Sequence, residues 1–496
     1  MLAEHEDMES VAVVANGRTS TGVSSRSRGA LRTLGLAGLV GVPVSVFGVV
    51  AGAAGTPTSY VPSRSGGWPG WLSGPLHGLG LGIGSSSFQV LTLVMGASYA
   101  AVLLAAQVLP GRAITVSIAA AYLLLLLGPP LISQDVFGYL SFARLGALHG
   151  LDPYTHVPAE APTDGAFPFI GWPFQHSPYG PLFTLGSYAI APLGLAGGLW
   201  ALKAVAVGAS LGAVALIATA ARRMGRSARA AAVFVGLNPV VLELAAGGAH
   251  NDTLVLLVLA GALALAAGNY RPARTGPAAH PEADAEKRAD RVRMDGSYPL
   301  RSAAALIAVG VGVKASAGLV LPFVVLAPPY WRERARVAGG GLAALAVLAL
   351  VAVVGFGAHA FGFVGALGEQ QQLIATHSLP AETARWVGLA GLPSWWRDLF
   401  LGGFVIVLVV TLWLTARGAN WRAMAGWATL ALLLSTAWLL PWYAIWVLPL
   451  AALADSRRLR VATLVFCAYA ILIHLPLADP VLSPARHVAH HRVVRH

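Results

Sequence analysis

The chain has 496 residues, 56% of them hydrophobic and only 11% charged, with a mean hydropathy of +0.68. Soluble domains carry roughly 25% charged residues. This composition therefore excludes a soluble globular protein, and with repeated apolar runs of about 20 residues it indicates an all-α polytopic membrane protein. The net charge of +12 does not point to nucleic acid, because the basic residues sit mainly in short loops between apolar runs, where they set topology.

In chain order, residues 1–33 are polar and poor in aromatics and read as a disordered cytoplasmic N-terminus. The first apolar run starts only near Leu34, which does not suit a cleavable signal peptide. Apolar runs then follow at 34–54, 88–109, 113–132, 199–220, 229–247, 252–268, 301–313, 316–328, 337–357, 399–416, 422–440, 442–454 and 460–476. They predict about 13 transmembrane helices, although 442–454 is marginal as a span. Runs 301–313 and 316–328 read either as one long helix or as two half-helices. The single cysteine, Cys467, excludes an intrachain disulfide and a thiolate metal cluster. The glycines form no Walker A sequence and read as helix-packing positions.

Basic clusters at Arg18–Arg32, Arg222–Arg229, 271–293, Arg332–Arg336, Arg417/Arg422 and Arg457–Arg460 belong in the cytoplasm by the positive-inside rule. The segment 269–299 is then a solvated cytoplasmic linker, and 181–197 lies as a juxtamembrane helix rather than crossing. Loops 134–198 and 358–398 face outward, as do His250-Asn251-Asp252 and Pro441-Trp442-Tyr443. Residues 479–496 form a basic, histidine-containing tail.

Residues 131–156, LISQDVFGYLSFARLGALHGLDPYTH, carry the most information. Asp135 stands at the mouth of the run 113–132, where an acid is costly unless it has a task. It also reads as a helix N-cap, a role compatible with a functional one. Further on come SPYGPL at 177–182 and LNPVVLELAAGGAHND at 237–252.

Together these motifs resemble the bacterial MptA/MptB-type polyprenol-phosphomannose-dependent α-1,6-mannosyltransferases of the GT-C glycosyltransferase superfamily. The resemblance covers about residues 34–478. It implies a multi-span enzyme of the plasma membrane whose catalytic loop is the first large external one, here 134–198 with its juxtamembrane helices. It implies a polyprenyl-phosphate-mannose donor and a glycolipid or mannan acceptor. Many GT-C enzymes carry a pair of acids in that loop. Here Asp135 stands alone at the exit, with Asp152 further along.

Transfer from a lipid phosphate needs a carboxylate to take the acceptor hydroxyl proton as the new bond forms. A single acid suits inversion, whereas retention through an enzyme-linked sugar calls for a second carboxylate close by. Asp135 is the candidate base. The leaving phosphate needs cations, and Lys314, Lys203, Arg144 and Arg385 are the candidates. Lys314, between two short apolar runs, is expensive in lipid unless it snorkels or meets an anion. His250, Asn251 and Asp252 read as a substrate site or as a polar turn capping the next helix. His176, Tyr179, His377 and Tyr139 are further substrate-binding candidates, and the loop aromatics also fit an interface belt. Glu243, inside a span beyond Pro239, suggests a local polar network. The sequence indicates no cofactor and no metal site, and a divalent cation is left open as a further partner of the phosphate. A GT-C enzyme with another polyprenyl-phosphate sugar or a protein acceptor is the alternative, followed by a transporter or lipid flippase built on broken helices.

Overall fold

The computed structural model describes residues 25–55, 69–268 and 298–475. Most of the expected N-terminal segment 1–33, nearly all of the linker 269–299 and the tail 479–496 lie outside the described residues. Among those described there is helix and loop and no β-strand. Five helical stretches are long and apolar enough to cross a membrane unaided: Ser27–Gly55, Ser85–Ala105, Pro181–Arg223, Trp331–His359 and Ser394–Ala416. A sixth candidate is a pair, Ala228–Gly236 and Val240–Ala246, bent by 46°. The molecule is thus a polytopic membrane protein. Several of the thirteen apolar runs are shorter or interrupted helices, among them Gly111–Leu127, Asp252–Ala266 and Pro441–Leu453.

The first helix, α1 (Ser25–Gly55), starts nine residues before the predicted run and packs along α2 (Ser85–Ala105). Its glycines explain how closely. A Cβ on Gly35, Gly38 or Gly41 would stand 2.4, 2.5 or 2.3 Å from Ala105 Cβ, Ser98 O or Ser98 Oγ. Small residues at three-residue spacing let two membrane helices approach in this way.

The arginine clusters do more than set topology. Arg223 donates to the Ala264 carbonyl, Arg226 to Ala454, Arg229 to Leu109 and Arg334 to Ala416, each at 2.7–2.9 Å. Each carbonyl lies at or near a helix C-terminus, where backbone acceptors lack intrahelical partners. The arginines therefore bind one end of the molecule together.

The opposite end is built on interrupted helices. After α3 (Ala228–Gly236) the chain bends at Leu237-Asn238-Pro239 and continues as a π-helix, Val240–Ala246. Pro239 removes a donor, and the Asn238 side chain accepts from Val240 N–H at 3.0 Å. The runs near 301–328 are two half-helices, Tyr298–Val311 and Ala315–Leu326, with Gly312-Val313-Lys314 at the break. The third interruption falls between the 3₁₀ turn Pro441–Trp446 and the short helix Leu448–Leu453.

The SPYGPL motif closes the second break. Leu182 and Phe183 N–H donate to the Gly312 carbonyl at 2.8 and 3.1 Å, and Gly180 N–H to Val313 at 3.1 Å. A Cβ at Gly180 would lie 2.4 Å from the Gly312 oxygen, so this contact needs glycine. Pro181 begins the helix Pro181–Tyr188 at a position that needs no donor. GLDPYTH braces the motif in turn: Tyr154 Oη donates to the Tyr179 carbonyl at 2.8 Å, and Ser177 N–H to Pro153 at 2.9 Å.

Candidate active site

Four segments far apart in the chain converge beside these breaks. Asp135 is the first residue of α4 (Asp135–His149), and Gln134 holds the N-cap position. The cap reading of Asp135 is therefore set aside: its carboxylate points to His250, with Oδ2 3.4 Å from Nδ1. His250 is fully buried and stacks on Trp442 at 3.8 Å between ring centroids. Tyr139, one turn along α4, sets its hydroxyl 3.5 Å from His250 Nδ1 and 3.3 Å from Asn251 Oδ1.

Asp252 opens the helix Asp252–Ala266 yet caps nothing with its side chain. It receives Lys314 Nζ at 2.8 and 2.9 Å and Trp446 Nε1 at 2.7 Å. Lys314 also lies 4.5 Å above the Tyr443 ring, and Tyr443 stacks on Trp446 at 4.3 Å. Charge-assisted bonds and cation–π contact thus compensate a cation lifted out of water.

The backbone here is held in unusual conformations. Among the described residues only two non-glycines have positive φ, Ile132 at 76° and Ala249 at 54°. One stands three residues before Asp135, the other immediately before His250. At Ile132, Ser133 N–H bonds back to the Leu131 carbonyl at 2.8 Å, closing a tight γ-turn around a β-branched residue. At the other segment His250 N–H reaches the Ala245 carbonyl at 3.0 Å, continuing the π-type spacing. Such strain, about 1–3 kcal/mol per residue, persists where the surroundings enforce it, commonly at functional sites.

Asp135, Lys314, Tyr179 and His176 line one pocket between the 134–198 loop and the 358–398 loop. Burial acts to raise the Asp135 carboxyl, but the facing His250, the Lys314 ammonium and the Ser133 hydroxyl outweigh it and hold the group below the ordinary carboxylate range. Asp135 keeps 13% of its side-chain surface exposed, while His250 and Asp252 have none. Of the three, only Asp135 presents its side chain to the pocket. His176 is held by Glu369 at 3.0 Å, across the two loops.

The structure does not bring the other candidates here. Lys203 is buried and donates to the Pro129 carbonyl at 3.2 Å. Arg144 is engaged by Asp164 at 2.9 Å, and His149 binds that carboxylate's other oxygen at 2.8 Å. Burial would raise Asp164, but the bonds from Arg144 and His149 outweigh it and lower it. Arg385 pairs with Glu382, which also takes His377 at 2.6 Å. Asp152 faces His359 at 3.2 Å rather than the pocket. Among the described residues no three His, Cys, Asp or Glu side chains cluster as a metal-binding set.

Two features escape a sequence reading. Trp446 holds Asp252, yet in the marginal run 442–454 it reads as one more apolar residue. Trp442 and Tyr443, which the sequence also offered as belt aromatics, are buried against His250 and Lys314, whereas Trp386 and Trp395 are exposed.

Fold and site together define a polytopic membrane protein with a carboxylate and an ammonium group lining one pocket at the broken ends of its helices. The chain belongs to the alpha-(1->6)-mannopyranosyltransferase family, a family of glycosyltransferases. The profile of that family's N-terminal domain matches residues 32–329, and the MptB C-terminal domain profile matches 393–494. The chain is 28% identical over 386 residues to alpha-(1->6)-mannopyranosyltransferase A of Mycobacterium tuberculosis, covering 71% of this chain and 67% of the relative. A second alpha-(1->6)-mannopyranosyltransferase of that organism is 29% identical over 392 residues, covering 68% and 65%. The chain therefore spans about two thirds of the length of these relatives. No solved structure matches it.

Proposed function

We propose that this protein transfers mannose from a polyprenyl-phosphate-mannose donor to a mannoside or lipoglycan acceptor, forming α-1,6 linkages with inversion at the anomeric carbon. Asp135 is the general base. It takes the acceptor hydroxyl proton as the oxygen attacks C1, while the C1–phosphate bond breaks and the phosphate departs with the bonding pair. Lys314 stabilises the departing phosphate, sharing its ammonium with Asp252. His250 is a positioning residue: its ring, clamped by Trp442, aims the Asp135 carboxylate into the pocket. His176, Tyr179 and Tyr139 contact or support the sugar.

The observation that carries this reading is the meeting of one partly exposed acid and one cation on the same pocket wall. The nearest second acid, Asp252, is sealed between Lys314 and Trp446 and cannot act as a nucleophile. The relatives' names support the sugar and the linkage. The arginine-tied end supports a cytoplasmic side opposite the pocket, and hence an extracytoplasmic site in the plasma membrane. The interrupted helices fit a GT-C arrangement in which the thirteen apolar runs pass through or dip into the bilayer.

The test is transfer by purified protein in detergent, with synthetic polyprenyl-phosphomannose and a short α-1,6-mannoside. Wild type should form an α-linked product, and Asp135→Asn should fall by about 10²–10⁴-fold while still folding cooperatively. Near-normal transfer by a folded Asp135→Asn would falsify the base assignment. If wild type used a different polyprenyl-phosphate sugar or a peptide acceptor, the sugar reading would give way and the site would stand. Movement of the lipid across vesicles without transfer would favour the transport reading suggested by the broken helices.

A further inference from the structure

One cavity lies apart from the Asp135 pocket. It is an apolar groove of about 500 Å³ between α2 and the last described helix, α5 (Arg457–Leu472). Leu93, Ala97, Leu464, Ile471 and Leu472 are among its walls. Its few polar groups satisfy one another: Asn238 Nδ2 donates to Tyr99 Oη at 3.4 Å and lies 3.7 Å from Cys467 Sγ, and Tyr99 Oη donates to the Phe234 carbonyl at 2.9 Å. Thr92 gives its hydroxyl to Glu243. The groove thus offers hydrocarbon surface and no hydrogen-bonding demand, which suits an aliphatic chain.

At the arginine-tied end this groove runs into a second cavity of about 480 Å³, with Leu103 and Leu464 common to both. Here the lining is charged: Arg226, Arg457 and Arg460, with Asp455. Asp455 pairs with Arg226, whose guanidinium also donates to the Ala454 carbonyl. Arg457 and Arg460 are exposed and have no ion-pair partner among the described residues. Two exposed cations with no ion-pair partner among the described residues therefore stand at one end of the apolar groove.

We propose that this composite groove binds one anionic glycerophospholipid, its acyl chain laid along α2 and α5 and its phosphate held by Arg457 and Arg460. The lipid comes from the leaflet at the arginine-rich end, remote from Asp135, so the site is separate from that of the sugar donor. Basic pockets between transmembrane helices bind anionic headgroups by this combination of charge and apolar contact. Because Val240 and Asn238 line the groove, the occupant also buttresses the bend that leads into the π-helix.

Gly96 supplies a clean probe. It lines the groove, and a Cβ built there meets nothing within 4 Å, so a side chain can leave the backbone there without a clash and project into the trough. The experiment is native mass spectrometry of the detergent-purified protein with dioleoyl-phosphatidylglycerol or dioleoyl-phosphatidylcholine. Wild type should retain the glycerol lipid at least about tenfold better than the choline lipid, and its Tm should rise only with the former. Arg457→Gln/Arg460→Gln should lose that preference, and Gly96→Phe should lose retention of both lipids. Equal retention of the two lipids by wild type, or unchanged phosphatidylglycerol binding in Gly96→Phe, overturns the proposal. So does displacement of phosphatidylglycerol by an equimolar polyprenyl monophosphate, which would assign the groove to the donor's lipid class.

Discussion

At the residue scale the site rests on two buried pairs, and each makes its own demand. Removing Lys314 strands the Asp252 charge, and breaking such a pair costs roughly 3–5 kcal/mol. Lys314→Met should therefore lower Tm markedly, whereas Lys314→Met/Asp252→Asn should recover most of it. If Lys314 also serves the phosphate, transfer by the double variant stays about 10²-fold or more below wild type; thermal melts and initial rates on the same samples separate the two roles. The Asp135 carboxyl, burial notwithstanding, is lowered by His250, Lys314 and Ser133. Its contribution to stability is thus present above the unfolded carboxylate value of about 3.9 and lost as pH falls through the still lower folded value. As the proposed base it stays ionised over the same range, so kcat/KM should show no acid limb from Asp135 above about pH 4. An acid limb above about pH 4 in the wild-type profile that moves in Asp135→Glu would show that the carboxyl is not lowered. Asp135 and the His250-Asn251-Asp252 run were visible in the sequence because polar groups at the ends of apolar runs are rare and costly. The fates of Arg144, Lys203 and Arg385 were not. Each is satisfied locally, by Asp164, the Pro129 carbonyl and Glu382, and sequence does not tell whether such a partner will be within reach.

At the element scale the interrupted helices decide where chemistry is possible. Backbone freed at a break must be satisfied in a membrane protein. At Gly312-Val313 the donors come from SPYGPL, with no room for a side chain at position 180. Gly180→Ala should force the segment away from Gly312, cost about 1–3 kcal/mol and reduce transfer by misplacing Tyr179 and Lys314 together. Loss of activity with an unchanged melting curve would contradict the first part of that account. Hydropathy found the two short runs near 301–328 but could not choose between a straight helix and a broken one. The choice depends on a loop more than a hundred residues earlier supplying the missing donors. That the glycines serve helix packing was legible, whereas the π-helix was not, since nothing in VVLELAA distinguishes it from an ordinary turn of helix.

At the scale of the whole molecule, the pocket is narrow. Its free space is about 50 Å³, room for a few waters at roughly 10–15 Å³ each and too little for a hexose. Two pairs, His176–Glu369 and His359–Asp152, fasten the 358–398 loop over the 134–198 loop. On the proposed function, sugar entry requires these loops to part. In Asp152→Cys/His359→Cys a short bifunctional thiol reagent should abolish turnover, and a cleavable version should restore it on reduction. The native background is favourable, because the single cysteine, Cys467, is buried. Turnover unaffected by complete crosslinking would place the sugar's path elsewhere. Sequence indicated that both loops lie on one side, but the pairing of His176 with Glu369 joins residues from opposite halves of the chain.

The docking of SPYGPL on Gly312 also bears on how the protein is made. Gly180 and Gly312 leave the ribosome far apart in time: at roughly 5–20 residues per second the interval is about 7–26 s. Until the later segment arrives, the N–H groups of Leu182 and Phe183 have no partner and can be satisfied only by water. The 134–198 loop must therefore wait, hydrated and half-built, while the membrane receives the rest of the chain. Assembly of the Asp135 pocket is thus a late event, completed only after the helix that carries Lys314 has been inserted.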